Sequence, residues 1–212
     1  MSNSSLVSYT KISPNSGERT KPISKITIHH AAVVNASLEG MGNWFADPEV
    51  EASSNYAIDS NGKVALYVDE SRRAWTSSNR ENDNVAVTIE VANSKGEPNW
   101  EVSEKAYATL IELCVDICKR NNIKELNYTG TKDGNLTRHN MFDSTTCPGA
   151  YLQSKFPEIA AEVNKRLKAG SAQEKKVLYK VQTGAFSVYE NAEKQLAQLK
   201  KLGFKDAFIK QE

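Results

Sequence analysis

The sequence is short of several things, and each shortage removes a class of function. No run approaches the ~18 consecutive apolar residues that a membrane-spanning helix requires. Residues 1–11 are polar and Ser-rich, without the apolar stretch of a secretory signal. The expectation is a chain made in the cytosol, with no signal peptide and no membrane span. Net charge is nearly absent, since 27 Lys and Arg against 26 Asp and Glu leave +1. Nucleic-acid-binding domains usually carry a basic patch or stripe, so no nucleic-acid partner is expected. Histidine and cysteine are scarce at three each. An odd cysteine count without a CxxC pair fits a reducing compartment rather than a disulfide framework. No internal repeat or low-complexity tract is present. What remains is an ordinary folded composition, 39% hydrophobic and 25% charged over 212 residues, which leaves room for one or two domains.

Apolar periodicity supplies a coarse layout. Residues 23–30 read as a strand in which Ile26 and Ile28 share a face. Residues 55–59 and 63–69 flank Asn61 and Gly62, the strong signal for a hairpin. Residues 85–91 alternate, with Val85, Val87, Ile89 and Val91 on one face and Ala86, Thr88 and Glu90 on the other. Ser103 is placed to cap a helix carrying Tyr107, Leu110, Ile111, Cys114 and Ile117 on one side. Cys114 and Cys118, four apart, read as core thiols. Residues 127–146 form a long polar loop, the kind of segment that often carries function. Residues 154–167 read as an amphipathic helix with Pro157 near its first turn. Residues 169–173 resemble a linker. Beyond it come a strand at 177–183, a helix opened by a Ser187/Glu190 capping box with Ala192, Leu196 and Leu199 on one face, a C-terminal Gly203, and a strand at 204–209. Such a β-α-β unit is too small to supply its own core, so it is expected to dock on the first domain or pair with a second copy.

Cys147 stands in a polar loop beside Pro148 and Gly149, separated from His139 by seven residues. His29 ends a strand. Neutral imidazole nitrogen and thiolate sulfur suit zinc, and three protein ligands leave a fourth position for water, as in catalytic sites. Taken alone, three ligand types without a CxxC spacing are also compatible with coincidence. His30 points to the face opposite His29 and reads as packed, exposed, or a supporting histidine. Zinc lowers the pKa of bound water, but amide hydrolysis also needs a proton carrier. Glu90, a carboxylate on a mostly apolar strand, should have a raised pKa suited to that task. The competing reading pairs it with Arg72, Arg73 or a lysine.

These residues resemble a family. Ile26, Thr27, Ile28, His29, His30, Ala31 and Ala32 are similar to the opening strand of the zinc-dependent N-acetylmuramoyl-L-alanine amidases of the type-2 amidase family, which includes phage endolysins, autolysins and peptidoglycan recognition proteins. Ser54 to Gly62 resembles the family hairpin. Asp69 to Trp75, then Val87 to Val91, resemble its central strands. His139 through Cys147, Pro148 and Gly149 resembles its closing metal loop. The likeness spans roughly residues 20–167. It implies an α/β fold with a central mixed sheet flanked by helices, a zinc amidase domain over residues 1–168, and a linker over 169–175. It implies one Zn2+ per chain on His29, His139 and Cys147, with Glu90 as the proton carrier. The reaction implied is cleavage of the amide between the lactyl group of N-acetylmuramic acid and L-alanine.

The sequence departs from the family at two places. Many bacterial members have lysine two residues before the last ligand, where this chain has Thr145, a hydroxyl donor for the oxyanion without a charge. The family's Ala-Trp-His-Ala-Gly is here Ala74, Trp75, Thr76, Ser77, Ser78. Trp75, Asn55 and Trp44 are the candidates for substrate contact. The tail, with Tyr179, Gln182, Gly184, Phe186, Gly203 and Phe204, resembles half of a sporulation-related (SPOR-like) peptidoglycan-binding module. This implies a wall-binding element over residues 176–212 that is completed in a homodimer. The expected role is a phage or prophage endolysin, cytoplasmic in the host until lysis and then at the cell wall. The alternatives are a bacterial autolysin or a non-catalytic peptidoglycan-binding protein; Cys147 together with Glu90 argues against the latter.

Overall fold

The computed structural model describes residues 3–173 and 181–211. Contacts divide the chain into two units, residues 1–173 and 174–212.

The first unit is built on a six-stranded sheet. Its strands are β1 (Val7–Thr10), β3 (Lys25–Val34), β4 (Tyr56–Ile58), β5 (Val64–Leu66), β7 (Ala86–Asn93) and β8 (Leu136–Arg138), in the order β1-β5-β4-β7-β3-β8. Only β4 and β5 run antiparallel; every other pairing is parallel. A separate antiparallel ribbon pairs β2 (Ser16–Glu18) with β6 (Arg72–Ala74). The β4–β5 connection is the expected hairpin. Asp59 Oδ1 accepts from the N–H groups of Asn61 and Lys63, and Gly62 takes a φ of +82° that a Cβ would strain.

The two faces of the sheet differ in composition, which decides where the site lies. Ile26, Ile28, Tyr56, Ile58, Val87, Ile89, Val91 and Leu136 form one face. They pack against α3 (Glu104–Arg120) and α4 (Gly149–Gln173) through Leu110, Leu113, Ile117, Leu152, Phe156 and Ile159. Ser103 caps α3, accepting from Ala106 N–H as its sequence position predicts, and Cys114 and Cys118 are buried in this core. The opposite face carries small and polar residues. Ala57 and Ala65 leave room for α1 (Leu38–Ala46), which lays Met41 and Phe45 over them beside Tyr67. The remainder of that face is Thr27, His29, Thr88, Glu90 and Thr137. The mixed sheet flanked by helices is the fold that the family resemblance implies.

Several segments depart from the sequence reading. The polar loop at 127–146 contains β8, a three-residue edge strand that exists through its pairing with Ile26, Thr27 and Ile28. Helix α4 begins five residues earlier than the predicted 154 and runs through the predicted linker at 169–173. Pro157 lies inside it, not in its first turn. The proline removes a main-chain hydrogen bond, a cost of about 3 kcal/mol. Burial of Leu152, Phe156, Ile159 and Val163 along one stripe outweighs this at roughly 1.5–3 kcal/mol per large side chain.

The second unit contains α5 (Tyr189–Lys201). Val188 occupies the N-cap position without a side-chain bond, so the predicted Ser187/Glu190 box does not form. At its other end Gly203, with φ +100°, donates to Lys200 O, and Phe204 N–H donates to Leu199 O, the paired bonds of a Schellman cap. The strand expected at 204–209 is absent, and residues 181–183 form none either. A strand needs a hydrogen-bonding partner, and none is present among the described residues of this unit. The first part of the other predicted strand, at 177–180, lies outside the described residues.

Candidate metal centre and active site

The register of the central strands brings the reacting groups together. His29 on β3 lies directly opposite Glu90 on β7, which in turn lies opposite Ala57 on β4. Residues in register share a face. Thr27, Thr88 and Thr137 form the row below. Thr27 Oγ1 is 2.9 Å from Thr137 Oγ1 and accepts from Asn82 Nδ2 at 3.0 Å. His139 follows β8 two residues beyond Thr137, so the same alternation that aims Thr137 inward aims His139 at the site. Cys147 arrives on the loop after it. Asn140 N–H donates to Cys147 O at 3.1 Å, and Cys147 N–H donates to Thr145 Oγ1 at 3.2 Å. After His30 the β3–β7 register shifts, with Ala32 in the left-handed region at φ 51°. Bulges of this kind recur beside active sites.

One ligand atom from each of His29, His139 and Cys147 lies within 4.8 Å of the others. Cys147 Sγ is 3.7 Å from His29 Nδ1. A tetrahedral zinc with ordinary bond lengths separates a nitrogen and a sulfur ligand by about 3.6 Å. Buried and without hydrogen-bond partners around this point are His139 Nε2, His29 Nε2 and Glu90 Oε2. Burial, then the neighbouring His139 and His30, hold His29 well below the usual imidazole range; burial lowers His139 too. Both rings are therefore neutral near pH 7, with lone pairs available. Burial first and the Glu90 carboxylate second push the Cys147 thiol up, so the thiolate is stable only when a cation compensates it. These donors fit a zinc ion.

Glu90 is 13% exposed, and its Oε1 is 3.9 Å from His29 Nδ1. Burial pushes its carboxyl up to about 8. Among the described residues no arginine or lysine forms an ion pair with it, which removes the competing reading. His30 is buried on the other side of β3, its ring edge-on to Trp100 with centroids 5.3 Å apart.

The remaining candidates separate into different surroundings. Thr145 is half-buried beside Cys147. Trp75 is half-buried under the guanidinium of Arg73, 6.0 Å from its ring. Trp44 projects from α1, 64% exposed. Asn55 is not a substrate contact. It is fully buried, its amide donating to the carbonyls of Val68 and Asp69 and its Oδ1 accepting from Thr88 N–H at 3.1 Å. It ties the β4 hairpin to β7, and nothing outside the protein can reach it. Thr76 and Ser77, where the family has histidine and alanine, bond inward instead. Their N–H groups donate to Asp83 Oδ2 at 3.0 and 3.1 Å, and Thr76 Oγ1 lies 2.8 Å from Thr88 Oγ1. Asp83 and Trp100 both shape the site region, and the sequence does not mark either. Asp83 carries no periodic or motif signal that marks it.

Residues 19–150 match the N-acetylmuramoyl-L-alanine amidase family, and residues 163–212 match the SPOR domain. No curated protein matches the chain. Solved structures share its fold. A mutant endolysin from Bacillus subtilis superposes with a TM-score of 0.57 at 16% identity, covering 73% of this chain and 97% of its own. The N-acetylmuramoyl-L-alanine amidase LysC from Clostridium intestinale gives 0.51 at 23% identity, covering 74% and 95%. PlyL gives 0.57 at 17% identity, covering 73% and 95%.

Proposed function

The chain belongs to the N-acetylmuramoyl-L-alanine amidase family, and from that premise we propose that His29, His139 and Cys147 hold one zinc ion at which Glu90 assists cleavage of the muramyl–alanine bond of peptidoglycan. The observation that carries this reading is the convergence of three ligand atoms within 4.8 Å with Glu90 in register beside His29. Held by these residues, a zinc ion would supply Lewis-acid polarisation of the scissile carbonyl and a water of lowered pKa. Glu90 takes the proton of the attacking water on a carboxylate oxygen and delivers it to the departing amine of L-alanine. Its raised affinity for protons suits both halves of that transfer. Thr145 Oγ1 already accepts from Cys147 N–H, so its own hydrogen is left to donate to the developing oxyanion. Trp75 and Trp44 supply aromatic surface for the substrate.

The biological setting proposed is host-cell lysis by an endolysin that acts from the cytoplasmic side. Among the described residues no helix is long and apolar enough to cross a membrane. The match to the SPOR domain supports a tail that binds the cell wall, with pairing of two tails in a homodimer as its completed form.

Digestion of purified walls tests the reaction. The wild type is expected to release new N-terminal alanine. Glu90→Ala is expected to lower the rate by about 10²–10⁴-fold, and chelation to abolish it. New reducing sugar ends in place of alanine would mean a glycosidase and sink the proposal.

A further inference from the structure

Trp100 has no part in the chemistry above, yet it stands behind the thiolate ligand. We propose that Trp100, together with His30, is a positioning residue that fixes Cys147 for metal binding; this rests on the zinc reading of the site.

Three contacts converge on the segment Cys147, Pro148, Gly149. The main-chain N–H of His30 donates to Cys147 Sγ at 3.4 Å. This fixes the sulfur from the strand that also carries His29. Two residues on, Gly149 has a φ of +82°, and a Cβ there would sit 2.7 Å from Trp100 Cβ and 3.3 Å from His30 Nδ1. The Gly149 main chain is thus pressed directly on a wall made by these two side chains. The wall is one unit, because the His30 ring meets the Trp100 ring edge-on, at 79° between planes.

Trp100 is itself held firmly. It occupies the left-handed region at φ 53°, which for a bulky residue persists only where the surroundings impose it. Its N–H donates to Gly96 O at 3.0 Å, and its carbonyl accepts from Asn93 Nδ2 at 2.8 Å. Asn93 ends β7, the strand of Glu90. The preceding residue, Asn99, accepts from Tyr151 N–H at 2.9 Å, so the same loop also grips the first turn of α4. Cys147 is therefore clasped between a hydrogen bond to its sulfur and an aromatic wall two residues away. Both supports are anchored in the two central strands. The Trp100 ring backs the His30 ring against which Gly149 rests; without it the His30 ring can turn away, Gly149 can shift, and Sγ then loses its 3.7 Å spacing from His29 Nδ1. Partners that orient a ligand typically change metal affinity by about 10–100-fold when removed.

The test uses the full chain and two readouts apart from turnover: zinc affinity by competition with a chromophoric chelator, and the thiolate-to-metal charge-transfer band of the cobalt(II) form. Trp100→Leu is expected to weaken zinc by about 10–100-fold and to reduce or shift that band. Trp100→Phe, which restores a ring edge, is expected to recover both. His30→Gln removes the other half of the wall while keeping the main-chain N–H, and is expected to weaken zinc in the same direction. Wild-type affinity and an unchanged band in Trp100→Leu overturn the proposal, even if the metal-free protein melts at a lower temperature, since that is the mark of a merely structural tryptophan. A wild type that binds neither ion instead overturns the zinc reading on which the proposal stands.

Discussion

A carboxyl group removed from water and given no cation as partner keeps its proton to a higher pH, and a thiol in an apolar core does the same. Glu90 uses this effect, whereas Cys114 and Cys118 are silenced by it. Burial pushes Cys118 up to about 12 and raises Cys114 as well, with the neighbouring Cys118 adding to the shift. In the unfolded chain both ionise near 8.5. A raised value in the folded state favours the neutral thiol, so their contribution to stability is intact below about 8.5 and falls away as pH rises towards 12. At pH 8 neither thiol is expected to react with a soluble aromatic disulfide while the protein is folded, and both are expected to react at once in guanidinium. A colorimetric thiol count that finds either one reactive in the native zinc-loaded protein would contradict their burial. Residue type alone tells these two from Cys147 only in part. The sequence context of Cys147, polar and beside Pro148 and Gly149, marked it as different. The context of Asn55 points the other way, because a polar residue in a hairpin looks exposed until its internal partners Val68, Asp69, Arg72 and Thr88 are known.

Among the elements, the end of α3 is fastened to the sheet by a buried ion pair. Glu70 is 1% exposed and receives Arg120 at both carboxylate oxygens, 2.7 and 2.8 Å, with Tyr56 Oη and Asn121 Nδ2 completing its bonds. Removing Glu70 takes two charge-assisted bonds from Arg120, which keeps Asp116 at 2.8 Å, and leaves Tyr56 Oη and Asn121 Nδ2 without this acceptor, at a cost of about 1.5–3 kcal/mol. Glu70→Ala is expected to lower unfolding free energy by that amount in denaturant titrations while leaving the rate per folded molecule unchanged. A variant as stable as the wild type would show that the pair contributes nothing net. Long alternating or helical patterns, those of β3, β7 and α3, were legible in the sequence because one face of each is continuously apolar. The strands β1, β2, β6 and β8 are three or four residues long and take their identity from a neighbour, so no local period announces them. Helix α1 did leave a readable trace, since Ser37 caps Leu38, Met41 and Phe45 at helical spacing. The wall made by Trp100 left none, because it depends on a left-handed turn and on a glycine 49 positions away in the chain.

The molecule as a whole joins one unit with a full core to another whose described residues form none. Among residues 181–211 no side chain is buried, and Val181, Leu202, Phe204 and Phe208 are each more than half exposed. All the groups of the candidate centre lie in the first unit. A chain ending at Gln173 is therefore expected to keep its rate on a small soluble muramyl peptide and to lose affinity for sedimented walls. Cosedimentation with purified walls measures this, and equal binding by the two forms would remove the tail from wall recognition. Sedimentation velocity of the same pair also reports on the homodimer, which is lost if both forms run as monomers.

The register that sets His29 against Glu90 has a bearing on how the enzyme comes into being. The site draws on three parallel strands, and His29 and Cys147 are 118 residues apart in the chain. Parallel pairing over such separations forms slowly, because loop closure precedes any gain from contact. No early hairpin or isolated helix contains two of the ligands, so a nascent or partly collapsed chain has nowhere to assemble the centre. Catalytic competence is in this sense a late event in folding, and a molecule becomes able to cut the wall only once its central sheet is complete.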